Sequence, residues 1–361
     1  MKIAFVRGQY LNNFELQSYY PLLKNKDFEL TGFTSLRPLH QVNIPIKQFP
    51  SPVDLPNFPY KFPILNRLFI EAMYLWGLEK KLTGYDMAHA RETYFHFTYQ
   101  VIKAKLKGYV KKVLVTCSET IPFNHETIRG RKELKQFVIK NADYFHCLTE
   151  KARDCLIQEG VSPSKISVIP YGIDLNNFKP NSVLKKSKLT IIFIGRLEEQ
   201  KGIYELLESW DKLKKSCSNV ELKIIGKGPL ESLIKQNNLT SESCPYSQIP
   251  KILSKADILV LPSKPTKYWE EYFGMVLIEA LACGVPIVTT NCGAIPEIVG
   301  QSALIVPYGN SHKLSQEIKK LIENPRLRAT LKASGIKQAR IRFDCDKQAL
   351  KLGKLYQQVV K

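Results

Sequence analysis

"EEYFGMVLIEALACGVPIVTT", residues 270–290, reads as loop, helix, turn and strand in one pass. Gly274 gives the backbone freedom at a helix entry, and "MVLIEALAC" (275–283) follows as a largely apolar helix. "VPIVTT" (285–290) is the short β-branched run of a strand buried on both faces. Two glutamates, Glu271 and Glu279, lie eight residues apart across this stretch. Burying a carboxylate is costly unless it is paired, so each implies a partner. Glu271 falls in the loop before the helix and Glu279 in its second turn, about 7 Å further along by helical rise. Carboxylates so placed can accept hydrogen bonds from hydroxyls on two parts of one extended, hydroxyl-rich ligand. A helix N-terminal acid beside a surface acid is the plainer reading of the spacing alone.

Outward from this stretch the same alternation continues. "LTIIFIG" (189–195), "VELKIIG" (220–226) and "ADILVLP" (256–262) form one series with it, and "KIAFV" (2–6), "VLVTC" (113–117) and "YFHCLT" (144–149) form another. Apolar runs alternating with helical-period segments predict an α/β fold of two doubly wound parallel sheets. "LNRLFIEAMYLWGLEKKL" (65–82) sets Leu65, Leu68, Phe69, Ala72, Leu75 and Trp76 on one helical face. A core-packed helix is the expectation there, with a membrane-binding helix as its rival. The connector 169–188, with two prolines, a glycine, three asparagines and a lysine cluster, marks the boundary. The domains expected are 1–172, a linker 173–188, a second domain 189–338 and a C-terminal helix 339–361 that packs back on the first. In parallel sheets ligands bind beyond the carboxyl ends of the strands, so the expected site lies where the two domains face each other.

At 361 residues, 44% hydrophobic and 24% charged, the composition is that of a folded globular protein and excludes fibrous and disordered classes. The eight cysteines include no C-x-x-C pair, which argues against a zinc ribbon and a secreted disulfide framework. "MKIAFVRGQY" is too poor in apolar residues for a signal peptide, and no run approaches the length of a membrane helix. These features predict reduced thiols in a cytoplasmic protein. The net charge of +20 is spread over both halves without a basic tail; it suits anionic ligands or an anionic membrane face, and equally a lysine-rich proteome. No aromatic-basic strip points to nucleic acid.

The second candidate cluster is "GRLEEQKG" (195–202). Gly195 ends a strand, Arg196 and Lys201 carry cations, and Gly202 opens the helix "IYELLESWDKL". A helix N-terminus presents unpaired N–H groups, so strand, cationic loop and helix start together make an anion site. Met275 and Val276 offer amides of the same kind after Gly274.

Taken in order, Arg196, Lys201, "GKGPL" (226–230), "ADILVLPS" (256–263), Glu271, Glu279 and "NCGAIPEIVG" (291–300) fall on successive βα units. In this arrangement the chain resembles the retaining GT-B glycosyltransferases called family 4 or group 1. The resemblance covers nearly the whole chain and is strongest from about 189 to 310. It implies that Arg196 and Lys201 grip the diphosphate of a nucleoside-diphosphate-sugar with the amides near Gly274, Met275 and Val276, while Glu271 holds the transferred sugar and Glu279 the ribose. It also implies that no metal or other cofactor is used. "DCD" (344–346) has D-x-D spacing but sits at a helix start, where capping explains it. The acceptor implied is a glycan or a lipid-linked one. "RETYFHFTYQ" (91–100) and "IRGRKELKQ" (128–136) fall in the acceptor half, where cations suit a phosphate-bearing acceptor or an anionic membrane presenting it.

The chain departs from the family in three places. Its first loop carries Gly8 alone where a glycine pair is usual. Ser118 and Glu119 stand where many members have a histidine, with His125 seven residues beyond Ser118. Residues 230–249 are short where an extra strand often lines the base pocket. Rival readings are a nucleotide-sugar epimerase on the same fold and a non-catalytic basic binding protein.

Overall fold

The computed structural model describes residues 1–180 and 188–361, so the lysine cluster of the expected linker lies largely outside the described residues. The chain divides into two compact units, Met1–Gly172 with Cys345–Lys361, and Ile173–Asp344.

The first unit is built on seven parallel strands: β1 (Lys2–Val6), β2 (Glu29–Ser35), β3 (Ile46–Phe49), β4 (Met87–Arg91), β5 (Lys112–Cys117), β6 (Tyr144–Cys147) and β7 (Ile166–Val168). Their order is β3-β2-β1-β4-β5-β6-β7. Alternate residues of a strand face opposite sides, and both sides here are apolar. Ala4 and Val6 join Ala88, Val113 and Val115 in a core covered by the helices His96–Leu106 and Arg131–Asn141. Ile3 and Phe5 join Met87 and Leu114 in the core on the other side, covered by the terminal helix Cys345–Val360 through Ala349, Leu352, Tyr356 and Val359. Tyr356 also fixes that helix by a hydrogen bond. Its hydroxyl lies 2.8 Å from Nδ1 of His89, whose Nε2 lies 2.6 Å from Thr116 Oγ1.

The second unit holds six parallel strands: β8 (Leu189–Ile194), β9 (Val220–Ile225), β10 (Ser241–Glu242), β11 (Ile258–Leu261), β12 (Ile287–Thr290) and β13 (Ala303–Val306), in the order β10-β9-β8-β11-β12-β13. The 230–249 segment, short as it is, does supply a strand: two-residue β10 pairs with β9 through Ser241 and Glu242. In each sheet the strand order reverses at the first strand, between β1 and β4 and between β8 and β11. Such switch points open a crevice at the carboxyl ends of the strands.

The expected helix over 65–82 does not form as one element. Helix Lys61–Phe69 ends at Ile70, whose φ is +66°, and a separate turn of helix begins at Leu78. Side chains take over the backbone donors at the break. Asn66 Oδ1 accepts from Ala72 N, and the buried Glu71 carboxylate accepts from Met73 N and His96 N. Leu68 and Trp76 consequently stay exposed instead of joining the core.

Candidate active site

At the β8/β11 switch point the chain after β8 turns through Gly195 and Arg196, and the chain after β11 through Pro262 and Ser263. Two close backbone approaches build this corner. A Cβ on Gly226 would lie 1.8 Å from the Gly195 carbonyl oxygen, and one on Gly202, at φ +73°, would lie 2.0 Å from that of Pro262. Only glycine fits either position, which is the physical content of the "GKG" and "QKG" motifs. Gly202 begins the helix Ile203–Ser216 and thereby seats Lys201 against the loop before the second helix start.

Lys201 Nζ donates to Glu271 Oε2 at 2.6 Å, Ser263 Oγ donates to the same oxygen at 3.0 Å, and Trp269 lays its ring 4.8 Å from the ammonium. Both partners are largely buried, so this is a desolvated ion pair, costly to leave half made. The backbone of Glu271 is held equally closely: its carbonyl accepts from Ala294 N at 2.8 Å, and Gly293, at φ +59°, passes against it. Three residues later Gly274, at φ +75°, opens the helix Met275–Cys283 with no side-chain cap. Met275 and Val276 occupy its first turn, where backbone donors lack intrahelical partners. An anion here would meet Lys201 and these amides together.

Glu279, in the same helix, is buried and accepts from the Tyr246 hydroxyl at 2.6 Å. Burial pushes its carboxyl up to about 7, with the Tyr246 hydrogen bond pulling the other way. Because this value lies above the ordinary 4.5, the proton favours the folded state, and stability is lost as pH rises from about 4.5 to about 7. Glu279→Gln is expected to flatten the fall of Tm across that window. It leaves a residual slope from Glu71, which burial also raises to about 7. Tyr246→Phe, which removes a favourable contact of roughly 1 kcal/mol to the charged form, should extend the fall to higher pH. Thermal unfolding at several pH values checks both.

Arg196 stands apart from this cluster. Its side chain is 64% exposed and pairs with Glu198 Oε1 at 2.9 Å. Gly195 ends β8 with its N–H on the Ile225 carbonyl. The D-x-D residues Asp344 and Asp346, with Cys345 between them, bring their ligand atoms within 4.8 Å of one another where the terminal helix begins.

At the β1/β4 switch point Gly8, at φ +56°, starts a single 3-10 turn against Phe97 and Met73. Beside it lies a charged network that sequence reasoning missed. Arg7, fully buried, donates through Nε to Glu15 Oε1 at 2.9 Å and lies 3.6 Å over the Phe5 ring. Arg91 reaches Glu15 at 3.3 Å, the Tyr171 hydroxyl at 2.7 Å and Ser118 Oγ at 3.2 Å. Burial pushes Glu15 up, but the two guanidiniums more than offset it and leave its carboxyl below the usual range.

The three residues at the place of the family's histidine separate by partner. Ser118 donates from both N and Oγ to buried Glu92. Glu119 accepts from the N–H groups of Thr120 and Ile121 and closes its own loop. His125, at φ +66°, sits 3.4 Å from Glu119 Oε2 and against the Tyr94 ring. In 128–136, Arg131 reaches the Ile70 carbonyl, and Lys135 is buried between Glu159 and Glu126. Those cations serve the fold, whereas Arg129 and Lys132 are exposed.

Residues 175–338 match the model for "Glycosyl transferases group 1" and residues 23–177 that for "Glycosyltransferase Family 4". A curated relative is the phosphatidylinositol N-acetylglucosaminyltransferase GPI3 subunit of Saccharomyces cerevisiae, 30% identical over 49% of this chain and 42% of its own. Another is the putative teichuronic acid biosynthesis glycosyltransferase TuaC of Bacillus subtilis, 28% identical over 54% of this chain and 51% of its own. The matches thus span about half the length of these relatives or less. Among solved structures, Anabaena Alr3699/HepE in complex with UDP and glucose superposes with a TM-score of 0.77, at 17% identity over 99% of each chain.

Proposed function

Since the chain belongs to the group 1 and family 4 glycosyltransferases, we propose that it moves a hexose from a nucleoside-diphosphate-sugar to a glycan or lipid-linked acceptor with retention at the anomeric carbon. The observation that carries this reading is the buried Lys201–Glu271 pair at the β8/β11 switch point, beside the uncapped start of helix Met275–Cys283.

As the bond from the anomeric carbon to the diphosphate breaks, negative charge grows on the diphosphate. Lys201, Arg196 and the amides of Met275 and Val276 stabilise it as fixed cations and dipoles, with no metal ion needed. The acceptor oxygen bonds to the anomeric carbon on the face the diphosphate leaves, and its proton passes to a diphosphate oxygen. Glu271 orients hydroxyls of the sugar and Glu279 those of the ribose. Gly195 lets the backbone approach the diphosphate. The unit carrying the second sheet holds the nucleotide, and the unit of residues 1–172 takes the acceptor, with Gly8 and the Arg91–Ser118–Glu92 group at its switch point. The names of the two curated relatives support a glycan or lipid acceptor, and the UDP complex of the structural neighbour supports a uridine nucleotide.

A thermal-shift series with UDP, GDP and ADP and their sugar conjugates, with and without EDTA, tests the reading. Stabilisation by one nucleoside diphosphate that survives chelation is expected. No shift with any of them would leave the non-catalytic alternative. Arg196→Ala should weaken the preferred nucleoside diphosphate about tenfold, the scale of one solvent-accessible charged hydrogen bond, by titration calorimetry. Unchanged affinity would remove Arg196 from the site.

A further inference from the structure

Large exposed apolar side chains concentrate between residues 55 and 76 of the first unit. The helix Lys61–Phe69 carries apolar side chains on its outward side as well as on the side that is covered. Leu65 is buried against the core, while Tyr60, Ile64 and Leu68, spaced four apart on the outward face, are exposed, Tyr60 by 79% and Leu68 by 70%. Phe62 adds a fourth exposed side chain and Trp76, stacked edge-on against Phe69, a fifth. Surfaces of this kind rimmed by polar groups mark interaction sites.

The charges around the patch select its partner. From Leu55 to Ile70 the sequence contains no acidic residue. Arg67 is exposed beside Leu68. Gly130 lies against the Ile70 side chain, which brings exposed Arg129 and the first turn of the helix Arg131–Asn141, with exposed Lys132 and Glu133, to the same edge and leaves the cations in excess there. Tyr and Trp rings, apolar in body and polar at the tip, suit the level of lipid headgroups, and cations beside them suit anionic ones. A second copy of the chain would instead set two positive rims against each other. Among the described residues no helix is long and apolar enough to cross a membrane, so the contact is one made in the plane of the surface.

We propose that the outward face of helix Lys61–Phe69, with Trp76, Arg67, Arg129 and Lys132, is a docking surface for an anionic lipid bilayer. The proposal needs neither donor nor acceptor and stands apart from the transfer reaction.

Co-sedimentation with vesicles of phosphatidylcholine alone or mixed with phosphatidylglycerol tests it on the full chain. Binding to the mixed vesicles and much less to the neutral ones is expected. Tyr60→Ser, Phe62→Ser and Leu68→Ser together should lower partitioning at least tenfold. Arg67→Glu with Lys132→Glu should lower it by more than about twentyfold, roughly fivefold for each cation lost and further for the added charge. The pair Ile341→Ser and Leu350→Ser, equally exposed elsewhere, should leave it unchanged. Because all these side chains are exposed, the unfolding temperature should hold in each variant. Absence of wild-type binding, or full binding by the triple variant, would overturn the proposal. So would a concentration-dependent dimer in sedimentation velocity that the triple variant abolishes without any vesicle binding, since the patch would then belong to a second copy.

Discussion

Glu271→Gln is expected to lower turnover at least about a hundredfold while leaving the affinity for the nucleoside diphosphate intact or slightly raised. The amide keeps the size of the carboxylate and an oxygen for Ser263 Oγ, so the loop should keep its shape, while the Lys201 charge left without its anionic partner lowers stability. What changes is charge. Lys201, bound at 2.6 Å to Glu271, loses its anionic partner and becomes more available to a diphosphate. In the proposed role of Glu271 the sugar hydroxyls would lose a charged acceptor that strengthens as the glycosidic bond breaks, a loss typically of a few kcal/mol of barrier. Steady-state kinetics with titration calorimetry separates the two effects. An equal loss of diphosphate affinity would mean that Glu271 acts only by holding Lys201, and turnover within a fewfold of wild type would take it out of the reaction.

The parts of this site differ in how legible they were in the sequence, for physical reasons. Inner strands announce themselves because burial on both faces forces continuous apolar runs, as in "KIAFV" and "ILVL", and these gave the two sheets. Edge strands carry no such demand: β3, with exposed Ile46, Lys47 and Gln48, and two-residue β10 left no readable pattern. Lys201, Glu271 and Glu279 were singled out by the order of motifs along the chain and the family resemblance that order carries, since their spacing alone favours the plainer reading. Their partners were not. Tyr246 lies 33 residues from Glu279, and Glu15 lies 76 from Arg91, so these meetings depend on sheet order. The helix break at Ile70 escaped because hydrophobic periodicity ignores which side chains, here Asn66 and Glu71, capture backbone donors.

Glycines supply the second large effect, since two of them share a backbone conformation but not a neighbourhood. Gly293 and Gly309 have φ of +59° and +73°. Nothing lies within 4 Å of a Cβ built on Gly309, whereas one on Gly293 would sit 2.2 Å from the Glu271 carbonyl oxygen. Gly309→Ala should therefore carry only the left-handed backbone cost, about 1–2 kcal/mol. Gly293→Ala adds a clash with main chain that no rotamer relieves, about 1–3 kcal/mol more. For a unit of this size the two substitutions together predict a Tm drop of up to roughly 15 °C for Gly293→Ala and about half that or less for Gly309→Ala. The clash also pushes on the residue that holds Lys201, and it threatens the hydrogen bond from Ala294 N to Glu271 O. Turnover in Gly293→Ala should fall at least tenfold at a temperature where the protein remains folded, while Gly309→Ala keeps wild-type turnover. Combined with Glu271→Gln, Gly293→Ala should cost little further activity, because both act through one side chain. Additive losses in the double variant, or equal Tm shifts for the two glycines, would show that the close approach at Gly293 does not set the position of Glu271.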